Sequence, residues 1–258
     1  MDIVLQGGMW PGTVNAAIEY SKLQFVNDVI ISTWEGEEVT NNLPKNVRVV
    51  KSKKPSHTGP GNVNLQIVSS LNGVKSCNSE IIMKIRTDEF IFKPSFEKIY
   101  QFFLDNKNQH TLNYLTGEKQ KSKIFIIGNN KNYPYHPQDH IYWGYKEDII
   151  KLLDIPLCTE EPYPGAQCPD GYFNNHIRSP MYIGMHYYAK FFQEAKHHCD
   201  NFKKYLLDAS KGREEAMKHY TPIRDSIFQV LPRIDMFWEK YASGYWYTYE
   251  ADGEYYAD

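Results

Sequence analysis

The chain alternates short apolar runs with amphipathic helical stretches, and this alternation restricts its possible folds more than any other feature. Apolar runs at 2–8, 28–34 and 47–50 have the length of buried strands, and residues 13–24 have helical spacing. Strands that alternate with helices are typical of sheets whose neighbouring strands run parallel. We therefore predict an α/β fold with a mixed, mainly parallel sheet flanked by helices.

The same pattern continues through the middle of the chain. It predicts helices at 62–75, 94–104 and 146–153, and strands at 80–92, 123–127 and 141–145. From about residue 186 to 241 the chain has mainly helical spacing. We expect one α/β domain over residues 1–185, with residues 186–258 as a helical C-terminal extension packed on it.

The segment Glu80–Phe92 is the most informative for function, because an apolar strand pattern there ends in charged residues. Lys84 and Arg86 are two residues apart, so they share one strand face, and Asp88 joins them if the strand continues. In βα chains the carboxyl ends of strands commonly bind ligands. Two cations and a carboxylate suit a phosphate-bearing ligand, with or without a metal ion. The alternative is a solvated strand end with a surface salt bridge.

The ends of the first two strands offer further contacts to such a ligand. Gln6 and Gly7 follow the first apolar run, and a glycine lets the backbone approach a ligand closely. Thr33 and Trp34 end the second run and offer a hydroxyl and a stacking surface for a base or ribose. The alternatives are a plain turn for the glycine and a core position for the tryptophan.

Asn62 and Gln66 are the candidates from the helix at 62–75. They lie four residues apart and therefore on one helix face. We expect both amides to reach a nucleotide, unless this face simply points to solvent.

Composition excludes several classes of function. The formal net charge of -2 argues against a broad nucleic-acid-binding field, so no nucleic-acid partner is expected. The four cysteines have no C-x-x-C or zinc-like spacing and are expected to stay reduced. No apolar segment reaches the length of a membrane span, so we expect a cytoplasmic protein, with peripheral membrane contact still open.

The order of these motifs resembles that of GT-A glycosyltransferases, and in particular the WavE-type lipopolysaccharide-synthesis family. The resemblance covers residues 3 to about 180. Its motifs are the early V-x-Q-G strand, Ile31-Ser32-Thr33-Trp34, the helix Asn62–Val74, the K-x-R-T-D core, and Asp139-His140-Ile141 followed by Trp143-Gly144.

The resemblance implies an enzyme that transfers a sugar from a nucleotide-sugar donor to a glycan or glycolipid acceptor, with inversion, in surface polysaccharide synthesis. Residues 1–185 would form its catalytic domain. Asp170, expected at a helix start, would accept the proton of the attacking hydroxyl. Asp139 is the rival candidate for this role. If it is not the base, we expect it to bind the acceptor or help shape the site.

The resemblance also implies a divalent cation, Mn²⁺ or Mg²⁺, held by Asp88 with Glu89 as a second ligand. The chain departs from the family pattern here, because Arg86 stands where the D-x-D motif has its first acid. Arginine binds phosphate oxygens directly through paired hydrogen bonds, so the need for a metal is left open.

Two other functions remain compatible with the sequence. A sugar-phosphate nucleotidyltransferase has a related sheet, but Val14 replaces the arginine that follows Gly-Thr in its loop. A non-catalytic nucleotide- or glycan-binding protein is suggested by Arg86 in place of the usual acid.

Overall fold

The fold is described from a computed structural model. Its described residues are 1–40, 42–109, 111–129, 133–159, 179–202, 211–232, 234, 236–239, 248–249 and 255–256. The strands in these ranges are β1 (Asp2–Gln6), β2 (Val29–Trp34), β3 (Val47–Ser52), β4 (Ile81–Arg86), β5 (Glu89–Ile91), β6 (Ile124–Ile126), β7 (Ile141–Tyr145), β8 (Phe228–Val230), β9 (Met236–Trp238), β10 (Thr248–Tyr249) and β11 (Tyr255–Tyr256). The helices are α1 (Thr13–Ser21), α2 (Val63–Ser76), α3 (Lys93–Asn106), α4 (Lys146–Leu153), α5 (Ser179–Tyr188), α6 (Gln193–Asp200) and α7 (Lys211–Ile223).

A seven-stranded sheet with the order β3-β2-β1-β4-β7-β6-β8 forms the centre of the fold. Strands β1 to β4 pair in parallel, as do β6 and β8, whereas β7 runs antiparallel to both of its neighbours. The predicted fold class, an α/β fold with a mixed, mainly parallel sheet flanked by helices, is confirmed.

Alternating side chains of the central strands enter two separate cores. Val4 and Ile82 belong to one core, together with apolar residues of α2. Leu5 and Ile85 belong to the other, on the opposite face of the sheet, together with apolar residues of α1 and α3. Because helices cover both faces, the functional surface of the sheet is left to its edges and strand ends.

The predicted strand at 80–92 is two strands rather than one. After β4 the chain turns at Thr87 and Asp88, and β5 then leaves the main sheet to pair with β9 in an antiparallel ribbon. The turn is held to the end of β1, since the Thr87 amide donates to the Gln6 carbonyl at 3.0 Å and its hydroxyl to the Gly8 carbonyl at 2.7 Å. Asp88 therefore lies beyond the strand face that Lys84 and Arg86 occupy.

The part of the chain expected to be a helical extension contributes strands as well as helices. Helices α6 and α7 were anticipated, but β8 joins the main sheet parallel to β6, and β9 completes the ribbon with β5. Helix α5 also crosses the expected boundary at residue 185. The division into two domains stays a prediction.

None of the helices in the described ranges is both long enough and apolar enough to cross a bilayer.

Candidate functional site

A cavity of about 330 Å³ opens at the carboxyl ends of β1 and β4. Its walls come from the ends of these two strands, the start of α2, the loop before β7 and the start of α5. The lining residues are Gln6, Gly7, Gly8, Trp10, Gly61, Asn62, Leu65, Gln66, Arg86, Thr87, Asp88, Asp139 and Ser179.

Seven of the residues singled out in the sequence meet in this cavity: Gln6, Gly7, Asn62, Gln66, Arg86, Asp88 and Asp139. The parallel register explains part of this convergence, because Gln6 is aligned with Arg86 across the β1–β4 pair. Residues at the ends of adjacent parallel strands necessarily meet at one sheet edge.

Other predicted residues are buried and do not line the cavity. Thr33 and Trp34 are 0% and 3% exposed, because β2 is an interior strand covered on both faces. Trp34 therefore presents no stacking surface to a ligand. Lys84 is fully buried, and Glu89 is 2% exposed. Asp170 lies outside the described residues.

The backbone at Gly7 is shaped for close approach. Gly7 has a φ of +133°, and a Cβ at this position would lie 2.8 Å from the Thr87 hydroxyl oxygen. Only glycine fits this conformation and this contact without strain. The nearby Gln6 amide is fixed by a 2.9 Å hydrogen bond to the Ser69 hydroxyl of α2.

The amino-terminal end of α2 also faces the cavity. Gly61 and Asn62 precede the helix with φ angles of 59° and 61°, and the Ser179 hydroxyl donates to the Gly61 carbonyl at 2.6 Å. Helix α2 has 14 residues, and the amino-terminal end of such a helix carries a partial positive charge. This end attracts anionic groups.

Arg86 is the most exposed member of a network of charged side chains. It donates to both carboxylate oxygens of Asp88 at 2.8 and 2.7 Å, and its Nε lies 3.3 Å from Glu89 Oε1. The Arg86 side chain is 26% exposed, compared with 3% for Asp88 and 0% for Glu89. The two carboxylates thus fix the guanidinium on its buried side, and Arg86 contributes a positive charge to the cavity wall.

Asp139 is the second carboxylate on the cavity wall, and it lies among buried cations. The Lys84 ammonium donates to the Asp139 backbone carbonyl at 2.5 Å. Burial alone would raise the pKa of Asp139, but the charges of His140, Lys84 and Arg86 outweigh this effect and lower it. Asp139 is therefore a carboxylate at neutral pH. Burial lowers the pKa of Lys84 to about 8.

The described residues do not fit a resident divalent cation as they stand. Both oxygens of Asp88 accept hydrogen bonds from Arg86, and Glu89 contacts both Arg86 and His140. Over the part of the chain that the structure describes, no cluster of three or more His, Cys, Asp or Glu side chains is arranged to bind a metal. A cation at Asp88 would first have to displace the guanidinium.

Several lining residues were not anticipated from the sequence. Trp10 is half-buried and follows the glycine turn after β1. Its position shortly after a strand end could have identified it as a candidate lining residue. Ser179 comes from the start of α5, far along the chain, and no sequence pattern linked it to this edge of the sheet.

The strand order changes direction between β1 and β4, where the cavity lies. The fold therefore places the candidate site at the switch point of an α/β sheet, where folds of this class commonly bind ligands. Residues 26–206 match the family described as WavE lipopolysaccharide synthesis. The match spans more than half of the chain, so the protein belongs to this family, and the resemblance noted in its motifs is confirmed.

Similar solved structures are distant. HddC from Yersinia pseudotuberculosis is 14% identical with a TM-score of 0.35, covering 66% of this chain and 86% of that one. Staphylococcus aureus TarS in complex with UDP is 14% identical with a TM-score of 0.40, covering 74% of this chain and 56% of that one. The galactosyltransferase LgtC, in complex with donor and acceptor sugar analogues, is 10% identical with a TM-score of 0.34, covering 58% and 59%. No curated protein sequence matches the chain.

Proposed function

We propose that the protein is a glycosyltransferase of lipopolysaccharide or related surface-polysaccharide synthesis, and that it binds a nucleotide-sugar donor in the cavity between β1, β4 and α2. The observation that carries this proposal is the half-buried side chain of Arg86, which buried carboxylates hold in the cavity that the amino-terminal end of α2 also lines. Membership of the WavE family supports the biosynthetic context.

The diphosphate of the donor would lie between Arg86 and the start of α2. Negative charge grows on the diphosphate as its bond to the sugar breaks, and both the Arg86 guanidinium and the amino-terminal end of α2 stabilise that charge. The Asp88 fork keeps the guanidinium in place before the ligand arrives, so less order has to be gained on binding. Arg86 would thus stabilise the leaving group directly.

The nucleoside would contact the polar and aromatic side chains around the diphosphate. Trp10 is half-buried on the cavity wall and offers an indole face to a base or ribose. The amides of Asn62 and Gln66 line the same wall and supply hydrogen-bond donors and acceptors.

Asp139 is our candidate for the general base in an inverting transfer. Its lowered pKa keeps it ionised at neutral pH, and it lines the cavity. An acceptor hydroxyl would attack the anomeric carbon as the bond to the diphosphate breaks, and its proton would pass to Asp139. Asp170 remains the alternative base predicted from the family resemblance.

A divalent cation at Asp88 and Glu89 also remains a prediction from the resemblance. Arg86 donates hydrogen bonds to both carboxylate oxygens of Asp88. We therefore expect the affinity for the nucleotide to change little when a chelator replaces Mn²⁺ or Mg²⁺.

Thermal-shift measurements with UDP, GDP, CMP and dTDP sugars, and with the free nucleoside diphosphates, test the proposal. A ligand that binds the folded state raises the melting temperature. We expect one nucleotide series to stabilise the protein. Arg86→Lys and Asn62→Gly should each weaken binding of that series by about tenfold or more. Lysine at position 86 cannot form the paired hydrogen bonds of a guanidinium.

Arg48→Lys is the matched control, because Arg48 lies away from the cavity and forms a 3.2 Å ion pair with Asp28. The absence of nucleotide binding to the wild-type protein would contradict the proposal. Pyrophosphate release from a nucleoside triphosphate and a sugar 1-phosphate would instead indicate the nucleotidyltransferase alternative.

A further inference from the structure

We propose that a second cavity is the subsite for the acceptor sugar, and that it selects neutral or amino sugars over acidic ones. This inference rests on the proposed glycosyltransferase function. The cavity measures about 330 Å³ and lies between α1, β5 and β9. We call it the phenylalanine pocket, after Phe90, Phe92 and Phe237 in its lining.

The aromatic lining is the first observation. Phe90, Phe92 and Phe237 are all half-buried, and all three line the cavity. Phe90 and Phe92 make an edge-to-face contact at 5.3 Å, and Tyr20 stacks on Phe90 at 5.5 Å, which fixes the orientation of these rings. A hollow of ordered aromatic surface with a few polar groups at its edge is the usual form of a small-molecule site. The apolar face of a pyranose ring matches such a surface.

The charge of the rim is the second observation. The described lining contains four acidic residues, Glu19, Asp88, Glu89 and Glu239, and no lysine or arginine. The Asp88 and Glu89 carboxylates are buried against Arg86, so the rim is formed by those of Glu19 and Glu239. Both have partners already, since Glu239 accepts from the Gly12 amide at 3.0 and 3.1 Å and Glu19 pairs with Lys22. The Glu19 side chain is nevertheless 55% exposed.

Carboxylates only accept hydrogen bonds, so this rim suits hydroxyl or ammonium donors. The acidic rim would repel an acidic sugar, and a purely aliphatic chain would offer the carboxylates no hydrogen-bond donor. Among the ligands of a glycosyltransferase, a neutral or amino sugar fits both the aromatic lining and the acidic rim.

The position of the pocket identifies the sugar as the acceptor. Thr87 and Asp88 line both the phenylalanine pocket and the proposed donor cavity, so the two cavities adjoin at this turn. The turn is fixed on the pocket side, where the Glu239 amide donates to the Asp88 carbonyl at 2.7 Å and the Thr13 hydroxyl to the Thr87 carbonyl at 3.0 Å. A sugar in the pocket would therefore sit across this turn from Arg86 and the proposed diphosphate position.

Saturation-transfer NMR with methyl glycosides tests this assignment. The probes are methyl hexosides and methyl hexosaminides, with methyl hexuronides for comparison, each at millimolar concentration and with the nucleoside diphosphate that binds best. Asn15→Trp would fill the pocket from an exposed position of α1, and Glu19→Lys would reverse one rim charge. Glu97→Lys, on α3 with a 55% exposed side chain, is the matched charge control.

We expect at least one neutral or amino glycoside to bind and the hexuronides to bind at least tenfold more weakly. Asn15→Trp should weaken glycoside binding at least tenfold, Glu19→Lys should weaken hexosaminide binding several-fold, and Glu97→Lys should leave both unchanged. Nucleoside diphosphate binding should be the same in all of these variants.

Three results would overturn the assignment: no glycoside binding, equal binding of hexuronides, or unchanged glycoside binding in Asn15→Trp. Glycosides that bind only after removal of residues 240–258 would also overturn it, because the tail of the chain would then be the occupant. If nucleoside diphosphates bind normally in these cases, only the acceptor subsite is wrong. If no nucleoside diphosphate binds the wild-type protein, the proposed function fails instead.

Discussion

Arg86 illustrates how one side chain can reverse the expected electrostatics of a site. A D-x-D motif presents carboxylates to its ligand, whereas here the carboxylates of Asp88 and Glu89 are buried and the Arg86 side chain, 26% exposed, lines the cavity. The two acids keep a structural role, because they hold the cation in a fixed orientation.

Replacement of Asp139 by asparagine tests the proposed base. Asparagine keeps the shape of the side chain but cannot accept a proton, so we expect sugar transfer or donor hydrolysis to fall by about 10²- to 10⁴-fold. Nucleoside diphosphate binding should change much less. Asp105→Asn, at an exposed position of α3, is the control. Full turnover in Asp139→Asn, together with its loss in Asp170→Asn, would transfer the role to Asp170.

His198 gives the folded protein a predictable response to acid. Burial, followed by the charge of His219, lowers the pKa of His198 from 6.5 to about 4. Between these pH values the unfolded chain binds a proton that the folded protein does not, so stability falls as the pH drops through this range. At about 1.4 kcal/mol per pKa unit, the fall from 6.5 to about 4 corresponds to a loss of about 3.5 kcal/mol over the whole range, of which about 2 kcal/mol falls between pH 7 and pH 5.

Urea denaturation at pH 7 and pH 5 measures this response. We expect His198→Gln to lose less stability between the two pH values than the wild-type protein, while His197→Gln, at an exposed position of the same helix, behaves like wild type. Some loss should remain, because burial also lowers the pKa of His186 to about 4. An equal loss of stability in His198→Gln and wild type would contradict the prediction.

At the scale of elements, helix α2 approaches the sheet closely because of Gly73. A Cβ on Gly73 would lie 2.5 Å from Val4 Cγ1 and 2.8 Å from Ser32 Cβ. Alanine favours helices more than glycine does, yet here its methyl group would overpack a buried interface. We expect Gly73→Ala to lower the free energy of unfolding by about 1–3 kcal/mol.

Urea denaturation at pH 7 tests this prediction, with Lys75→Ala on the exposed face of the same helix as the control, expected to change stability by less than about 0.5 kcal/mol. A stabilised Gly73→Ala variant would show that α2 can move away from the sheet without loss.

The elements that sequence periodicity predicted are the longer ones. Helices α1 to α4 and strands β1 to β3 and β7 lie within a few residues of their expected bounds, because each carries enough residues to define a period. Strand β6 has only three residues and was predicted because it lies within the apolar run at 123–127. Strands β8 and β9 have only three residues each and lie in a stretch that otherwise has helical spacing. No period can be established over three residues.

The same reasoning explains which site residues were predicted. The positions of Gln6 and Arg86 at the cavity could be predicted because charged or polar residues stand out at the ends of apolar strands, and that of Asp139 because it belongs to a motif of the family resemblance. Thr33 and Trp34 satisfied the same rule, but their burial depends on the position of β2 inside the sheet, which is a property of the tertiary structure. Ser179 and Phe237 arrive at their cavities through contacts between distant parts of the chain.

At the scale of the whole molecule, the C-terminal part of the chain is needed to complete the sheet. Strand β8 covers the edge of β6, and β9 pairs with β5 directly after the Thr87–Asp88 turn. A chain that ends at residue 185 would lack both strands as well as α6 and α7.

We expect a chain shortened to residues 1–185 to lose cooperative unfolding, as followed by circular dichroism and urea denaturation. The full chain is the reference for both measurements. A shortened chain that unfolds in one sharp transition would show instead that residues 186–258 are a separable extension.

Trp10 has a practical consequence for work on this protein. Its indole is half-buried on the cavity wall, whereas Trp34 and Trp143, the other tryptophans whose side chains are described, are 3% and 0% exposed. A ligand entering the cavity would change the polarity around Trp10 and leave those two indoles undisturbed. Intrinsic fluorescence can therefore report occupancy on the unlabelled protein, and a Trp10→Phe variant would identify the source of the signal.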